Sequence, residues 1–285
     1  MIIITGATGQ LGHAIAMQLI ARLPADQVGV SVRDPRKAAD LEALGVRVRQ
    51  GDFSDPASLS HAFEDASQIL LVSSNARSQG GDPLAQHAAV INAARTVGAR
   101  RIVYTSQIAA SPTSAFGPAL DHAATEKMLA ESGLAWTALR NGFYASSALG
   151  MMKKAFETGV MATPAGGKFV WTTHDDLAEA AAIILANEGK YGGPTPPLTG
   201  SQALGFADLT EMASEILGRP IRHETFPDDQ LAARLGVPAG AAKFMLGMYT
   251  ASRAGEFGPV NPTLAELLGR PPETMRELMT ATLKV

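Results

Sequence analysis

The sequence predicts an α/β protein built on a doubly wound parallel sheet, with a small, mainly helical lobe at its C-terminal end. Three observations predict it. Short apolar runs of strand length alternate with helix-like segments through the first two thirds of the chain. Three glycines at i, i+3 and i+6 follow the first run, and the texture becomes rich in proline and glycine near residue 190. At 285 residues the chain is long enough for one such domain plus an attached lobe.

The apolar runs at 1–5, 27–32, 46–50, 68–72, 101–105 and 136–139 read as strands, and the segments between them as helices on both faces. The joints agree. Asp34-Pro35 and Asp55-Pro56 each offer an N-cap followed by proline at the first helical position. A further strand at 169–172 leads through His174-Asp175-Asp176 into an alanine-rich helix beginning near Leu177. After Asn187 the cluster at 192–197 opens a region of short helical patterns with little strand signal. The expected division is therefore a sheet domain over 1–187 and a smaller lobe over 188–285, with 145–167 able to join the lobe.

The glycines carry the first functional signal. In Gly6-Ala7-Thr8-Gly9-Gln10-Leu11-Gly12 the first glycine permits a tight turn and the second lets a pyrophosphate lie on backbone amides. Gly12 lets helix and strand approach closely, and the helix N-terminus presents its partial positive charge to the anion. Strand, turn and helix in that order make this a Rossmann-type dinucleotide loop. At the end of the second strand, where an acidic side chain would hold the ribose of NAD, the chain has Arg33, with Arg36 and Lys37 nearby. A guanidinium there suits the 2′-phosphate of NADP, so NADP(H) is the expected cofactor. The alternative is a solvated Arg33 with Asp34 on the ribose hydroxyls.

Composition excludes other classes. The formal net charge is −3 and the basic residues are scattered, so no stripe fits a nucleic-acid backbone. The absence of cysteine removes disulfide frameworks, thiolate metal sites and cysteine nucleophiles. No basic region precedes the first apolar run, and the most apolar stretch, 177–186, is too short to span a bilayer. The expectation is a cytoplasmic protein without nucleic-acid or membrane partners. His122 and His174 adjoin carboxylates but lack metal-ligand spacing, so no metal is expected. No Gly-x-Ser-x-Gly elbow supports a serine hydrolase. Met245 and Met248 read as core or as an adaptable apolar pocket.

The motifs together resemble the NmrA-like atypical short-chain dehydrogenases. The residues that carry the likeness are the glycine loop, Arg33, Gly51-Asp52, Leu71-Val72-Ser73-Ser74, Tyr104-Thr105-Ser106, the stretch from Thr125 to Leu129, and Leu139-Arg140-Asn141-Gly142-Phe143-Tyr144. Within that family the likeness is greatest to the NADPH-dependent quinone oxidoreductase type 2 group, with triphenylmethane reductase a nearby relative. The resemblance implies that Gly6, Ala7, Thr8, Gly9, Gln10 and Leu11 cradle the pyrophosphate, that Arg33 takes the 2′-phosphate, and that Ser73, Ser74 and Asn75 line the adenosine side. It further implies that Thr137, Ala138, Leu139, Arg140, Asn141 and Gly142 run past the nicotinamide. Read without the glycine loop, Ser73-Ser74-Asn75 is an ordinary polar turn.

Many short-chain dehydrogenases place Tyr-x-x-x-Lys on one helix, so that the lysine holds the nicotinamide ribose and lowers the pKa of the tyrosine. Here Lys127 is present and position 123 is alanine. Ser106, where such enzymes often carry a serine, is therefore left to hydrogen bonding. Loss of the acid argues against carbonyl chemistry and fits hydride transfer to a quinone, whose reduced anion takes its proton from water. Lys127 reads equally as a ribose anchor and as a solvated helix lysine paired with a nearby acid. Asn141 and Tyr144, at the carboxyl end of the sheet, are candidates to contact substrate or carboxamide, with core packing the alternative for Tyr144. The expected activity is NADPH-dependent reduction of a quinone or similar conjugated electrophile lying between the sheet edge and the C-terminal lobe. The alternatives are a non-catalytic NADP-binding redox sensor and a reductase of triphenylmethane-like dyes. A small quinone-like substrate is the expected partner, and a homodimer is the oligomeric state to be tested.

Overall fold

A computed structural model describes residues 1–283. In chain order the elements are β1 (Ile2–Thr5), α1 (Gln10–Ile20), β2 (Val28–Val32), α2 (Ala39–Ala43), β3 (Arg47–Gln50), α3 (Pro56–Ala62), β4 (Gln68–Leu71), α4 (Pro83–Thr96), β5 (Arg101–Gln107), α5 (Gly117–Ala130) and β6 (Ala135–Asn141). Then come β7 (Phe143–Tyr144), α6 (Ala145–Thr158), β8 (Val160–Pro164), β9 (Phe169–Thr172), α7 (His174–Ala186), β10 (Gly193–Pro194), β11 (Ala203–Leu204), α8 (Phe206–Leu217) and β12 (Arg222–Phe226). Four helices finish the described chain: α9 (Leu231–Leu235), α10 (Ala239–Arg253), α11 (Thr263–Leu268) and α12 (Met275–Leu283).

Every run expected as a central strand forms one, and the seven-stranded sheet has the order β10-β6-β5-β4-β1-β2-β3. The order reverses between β1 and β4, so a crevice opens at their carboxyl ends. β1, β2 and β4 are buried along their whole length, as strands covered on both faces must be. On one face Ile3, Ile69, Leu71, Ile102 and Tyr104 meet Leu59, Phe63, Val90 and Ala94 from the helical layer. The buried guanidinium of Arg101 donates from its two terminal nitrogens to Gln68 Oε1 at 3.0 Å, Thr137 Oγ1 at 2.8 Å and the carbonyls of Ile184 and Tyr191 at 3.3 and 3.2 Å. Those four bonds are what makes its burial tolerable.

The chain divides into two compact units, one of Met1–Ser106, Asp121–Arg140 and His174–Pro196, the other of Gln107–Leu120, Asn141–Thr173 and Pro197–Val285. The single boundary expected near 187 is thus replaced by repeated crossings. The physical reason is aromatic: Phe116, Phe143, Phe169, Trp171, Phe206 and Phe257 form one cluster, with Phe169 stacked on Trp171 at 4.7 Å and on Phe257 at 5.1 Å. Segments distant in sequence must come together to bury those rings. The strand expected at 169–172 forms, but in a separate sheet of order β11-β9-β7. β8 and β12 pair in parallel, so the second unit holds more strand than its sequence pattern suggests. α7 begins at His174 rather than near Leu177. The proline–glycine cluster at 192–197, read as the opening of a region with little strand signal, contributes β10 at the sheet edge, where a missing amide is tolerated. Met248 joins the aromatic cluster and Met245 packs beside Phe226 and Leu231, both as core.

Candidate cofactor cleft and the carboxyl edge of the sheet

At the switch point lies a cleft of about 600 Å³ within the first unit. Its walls are Gly6, Thr8 and Gly9 after β1, Ser31, Val32 and Arg33 at the end of β2, Gly51 to Ser54 after β3, Val72 to Ala76 after β4, then Gly81 and Gln86. Of the expected cradle, Gly6, Thr8 and Gly9 therefore face the cleft. Gln10 is exposed as the first residue of α1, while Ala7 and Leu11 are buried beneath the loop. Gly6 has φ +64°, a left-handed value open to glycine, and its carbonyl accepts from Gly9 N–H at 2.9 Å. No side chain caps α1, so its first amides are directed by the turn alone.

The end of β2 separates the two readings of the ribose site. The Asp34 carboxylate caps the turn over Pro35–Ala38 and is gripped by Arg36 through Nε and Nη2, each at 2.9 Å. The Arg36 side chain is the main reason the Asp34 carboxyl sits below the usual carboxylate range. Arg33 is exposed, lines the cleft, and forms no ion pair among the described residues. The acid is occupied and the guanidinium is available.

Three buried side chains hold the wall after β4. Thr5 Oγ1 accepts from Val72 N–H at 2.9 Å, Thr105 Oγ1 from Ser73 N–H at 2.8 Å, and His87 Nε2 from Ser74 N–H at 2.9 Å. Because Nε2 accepts, Nδ1 carries the proton and donates to Thr125 Oγ1 at 2.8 Å. Only neutral His87 can do this. Burial pushes His87 down to about 4, and burial and the nearby His87 push His122 down to about 3. Both lie below the unfolded value of 6.5, so the unfolded chain binds more protons as pH falls from about 6.5 to about 4. Stability is expected to be level above that window and to fall within it, by roughly 3 kcal/mol from His87 alone. Chemical denaturation at a series of pH values checks this; a flat profile there would contradict it.

Elsewhere the sequence expectations meet a different geometry. Thr137, Ala138 and Leu139 are sealed in the middle of β6, and the Thr137 hydroxyl is spent on Tyr191 O at 2.7 Å. Arg140 forks onto Glu126, with Nε at 3.1 Å and Nη2 at 2.7 Å, and Ser106 Oγ donates to the same carboxylate at 2.6 Å. Of the two adjacent charged residues of α5, Glu126 is thus the buried one. Its neighbour Lys127 has a side chain 76% exposed and approaches Glu131 at 3.9 Å, one helical turn on. Gly142 donates its N–H to Leu198 O at 2.8 Å, and a Cβ there would lie 2.3 Å from Thr172 Oγ1, so close packing accounts for the glycine.

Asn141 closes β6 and is 2% exposed, yet its Oδ1 has no hydrogen-bond partner among the described residues. Burial raises the pKa of the Tyr144 phenol, and a hydrogen bond from the Asn141 side chain opposes that only in part. The phenol is neutral at physiological pH. His122, considered for metals, hydrogen-bonds Tyr104 OH through Nδ1 at 2.7 Å instead. Sequence reasoning missed Ser31, Phe53, Ser54 and Gln86 as cleft residues; position just beyond a strand end is a weak signal for Phe53 and Ser54, and Ser31 inside β2 and Gln86 inside α4 carry none. Asp52 was noted only as part of a family motif.

A phosphorylated dinucleotide fits this cleft on three counts: the glycine turn, the available Arg33, and the lining Ser31, whose buried Oγ has no hydrogen-bond partner among the described residues. No helix among the described residues is long and apolar enough to cross a membrane. The chain matches the model of the NAD(P)H-binding family over residues 6–188. It is 38% identical to quinone oxidoreductase 2 of Escherichia coli over 97% of this chain and 96% of that protein. Among solved structures it is similar to the E. coli NADPH-dependent quinone oxidoreductase QOR2 complexed with NADPH (TM-score 0.91, 37% identity, covering 99% of this chain and 100% of that one). It is also similar to the Citrobacter triphenylmethane reductase complexed with NADP(H) (TM-score 0.88, 31% identity, 99% of each chain). With the parallel sheet, the switch-point cleft and these matches in place, the chain belongs to the NAD(P)H-binding family, among its NmrA-like oxidoreductases.

Proposed function

We propose that the protein is an NADPH-dependent reductase of quinones or similar conjugated electrophiles. The observation that carries the cofactor half of this reading is the pairing of a free Arg33 with an Asp34 already bound to Arg36. A guanidinium with no internal partner, at the mouth of a glycine cradle, favours a dianionic 2′-phosphate over bare ribose hydroxyls. Bound there, the reduced nicotinamide supplies the hydride.

The protein's own part is binding and orientation. Gly6, Thr8 and Gly9 receive the pyrophosphate, and Ser73, Ser74 and Asn75, held from behind by Thr105 and His87, form the adenosine wall. Asn141 and Tyr144, linked by a hydrogen bond from the Asn141 side chain to the phenol, are proposed to contact substrate or carboxamide. Alanine at position 123 leaves no short-chain-dehydrogenase acid on α5, and Ser106 is committed to Glu126. A quinone suits such a site, because its reduced anion is stabilised by aromaticity and takes a proton from solvent. The likeness to quinone oxidoreductase 2 and to triphenylmethane reductase supports an acceptor of this conjugated type.

The test is NADPH consumption with simple quinones, run beside NADH and beside a control without quinone. Quinone-dependent turnover that favours NADPH is expected. Tight NADPH binding without turnover on quinones or triphenylmethane dyes would move the reading to a redox sensor. The exposure of Lys127 supports its solvated reading, so Lys127→Ala is expected to leave NADPH affinity and quinone turnover within about twofold of the original, the scale of an exposed i,i+4 ion pair. A large loss in either would return Lys127 to the site.

A further inference from the structure

One side chain ties together two walls of the cleft in the first unit. Gln86, in the first turn of α4, lines the cleft. Its Nε2 donates to Ser54 Oγ at 3.2 Å, on the turn that follows β3, and its Oε1 accepts from Ser74 Oγ, on the wall that follows β4. Ser54 and Ser74 line the same cleft. In the sheet β3 and β4 are separated by β2 and β1, so strand pairing does not fix the gap between the segments that follow them. The Gln86 side chain bridges that gap.

The bridge stands on a fixed base. Asp82 caps α4, its carboxylate accepting from Leu84 N–H at 2.9 Å and from Ala85 N–H at 3.2 Å. The next residue after Gln86 is the buried His87, which accepts from Ser74 N–H at 2.9 Å. Ser74 is therefore held twice by α4, through its amide and through its hydroxyl, and its Oγ accepts in turn from Ala76 N–H at 3.0 Å. On the other wall Asp52 Oδ1 accepts from Ser54 N–H at 2.8 Å, and Phe53 lines the cleft while packing against the core of the first unit. A half-exposed glutamine bonded to water keeps its rotamer freedom, whereas this one gives it up to join two segments. What the bridge adds is a set distance between them.

We infer that Gln86 is a positioning residue for a flat nucleobase, acting through Ser54 and Ser74 to preset the gap between the turn after β3 and the wall after β4. The inference rests on the cofactor half of the proposed function, in which Gly6 and Gly9 receive the pyrophosphate and Arg33 the 2′-phosphate. The base is carried on the ribose carbon next to the one that bears this phosphate, so it falls to the neighbouring segments of the same cleft. A gap fixed before binding spares the ordering of two loops that the ligand would otherwise have to impose. NADPH and NADH share the base, so the effect of Gln86 falls on both alike, in contrast to that of Arg33.

The test uses the intact protein and three ligands: NADPH and NADH, read by nucleotide fluorescence, and adenosine 2′,5′-bisphosphate, which lacks the nicotinamide, read by displacement of NADPH. Gln86→Met keeps the length of the side chain and removes both bonds. It is expected to weaken all three ligands alike, by roughly tenfold, the scale of one or two net hydrogen bonds. Ser54→Ala cuts the same bridge at its exposed end, which tests it even where Gln86→Met does not fold, and is expected to weaken all three by roughly threefold. In the Gln86→Met background Ser54→Ala is expected to cost nothing further, because the bridge is already broken. Unchanged affinities in the single variants, losses that add in the double variant, or a loss confined to NADPH would each overturn the role of Gln86 while leaving NADPH binding in place. NADPH binding without quinone turnover would set aside the reductase reading and leave this one standing. Failure of the unaltered protein to bind either nucleotide would overturn both together.

Discussion

Arg33→Ala is expected to weaken NADPH binding by roughly 10- to 100-fold and to leave NADH binding nearly unchanged. The size follows from the one or two charge-assisted hydrogen bonds a guanidinium makes to a phosphate, each worth about 1.5–3 kcal/mol when not screened away. The selectivity follows from geometry. Among the described residues Arg33 has no ion-pair partner to release on mutation, and Asp34 cannot turn to the ribose without breaking its two 2.9 Å bonds to Arg36. Stability should change little, because Arg33 is exposed. Titration of each nucleotide into the original protein and the variant measures the effect. Equal losses for both nucleotides would show that Arg33 does not read the 2′-phosphate. A combined Asp34→Asn, Arg36→Ala variant separates the residual contribution of positive charge from that of the freed turn.

Gly12→Ala is expected to cost about 2–3 kcal/mol of stability, the range for forcing a methyl group into a space already filled. A Cβ at position 12 would stand 2.4 Å from Gly6 O, 2.8 Å from Gly6 C and 3.1 Å from Ala7 Cα. All three are backbone atoms of the loop, so no side chain can swing away and α1 must move off β1. The melting temperature should drop by roughly 3–5 °C for a chain of this size, and NADPH affinity should fall with it because the same movement spoils the cradle. Gly9→Ala is the contrast. There the added methyl meets only Gly6 O at 3.4 Å, an ordinary contact, so the fold should hold while the methyl blocks close approach of the pyrophosphate. Thermal unfolding and nucleotide binding, measured on both variants, separate the two glycine roles. A Gly12→Ala protein as stable as the original would refute the packing argument.

The local chemistry of the first half was legible because it is carried by short-range pattern. Buried strands such as β1 and β2 announce themselves as apolar runs, and each Asp-Pro joint announces a turn that the structure caps with Asp34 or Asp55. The candidate cleft was half legible for the same reason. Gly6, Thr8, Gly9, Arg33, Ser73, Ser74 and Asn75 all lie at strand ends and all line it. Where local pattern was weak the reading slipped. β10 is a glycine and a proline with no strand signal, recruited to the sheet edge by the neighbouring β6.

The sequence by itself determined the parallel sheet, the glycine turn at its switch point and a basic residue where a ribose would lie, since each depends on residues within a few positions of one another. Tertiary structure alone decided which side chains are free to act. It committed Asp34 to Arg36, Arg140 and Ser106 to Glu126, and Lys127 to solvent. It also left one buried side-chain oxygen each of Ser31, Gln107 and Asn141 without a hydrogen-bond partner among the described residues. The physical reason is that a side chain's chemistry is set by what its atoms already bond, and for Arg101, His87 and Asn141 the burial or bonding that matters involves segments distant in the chain.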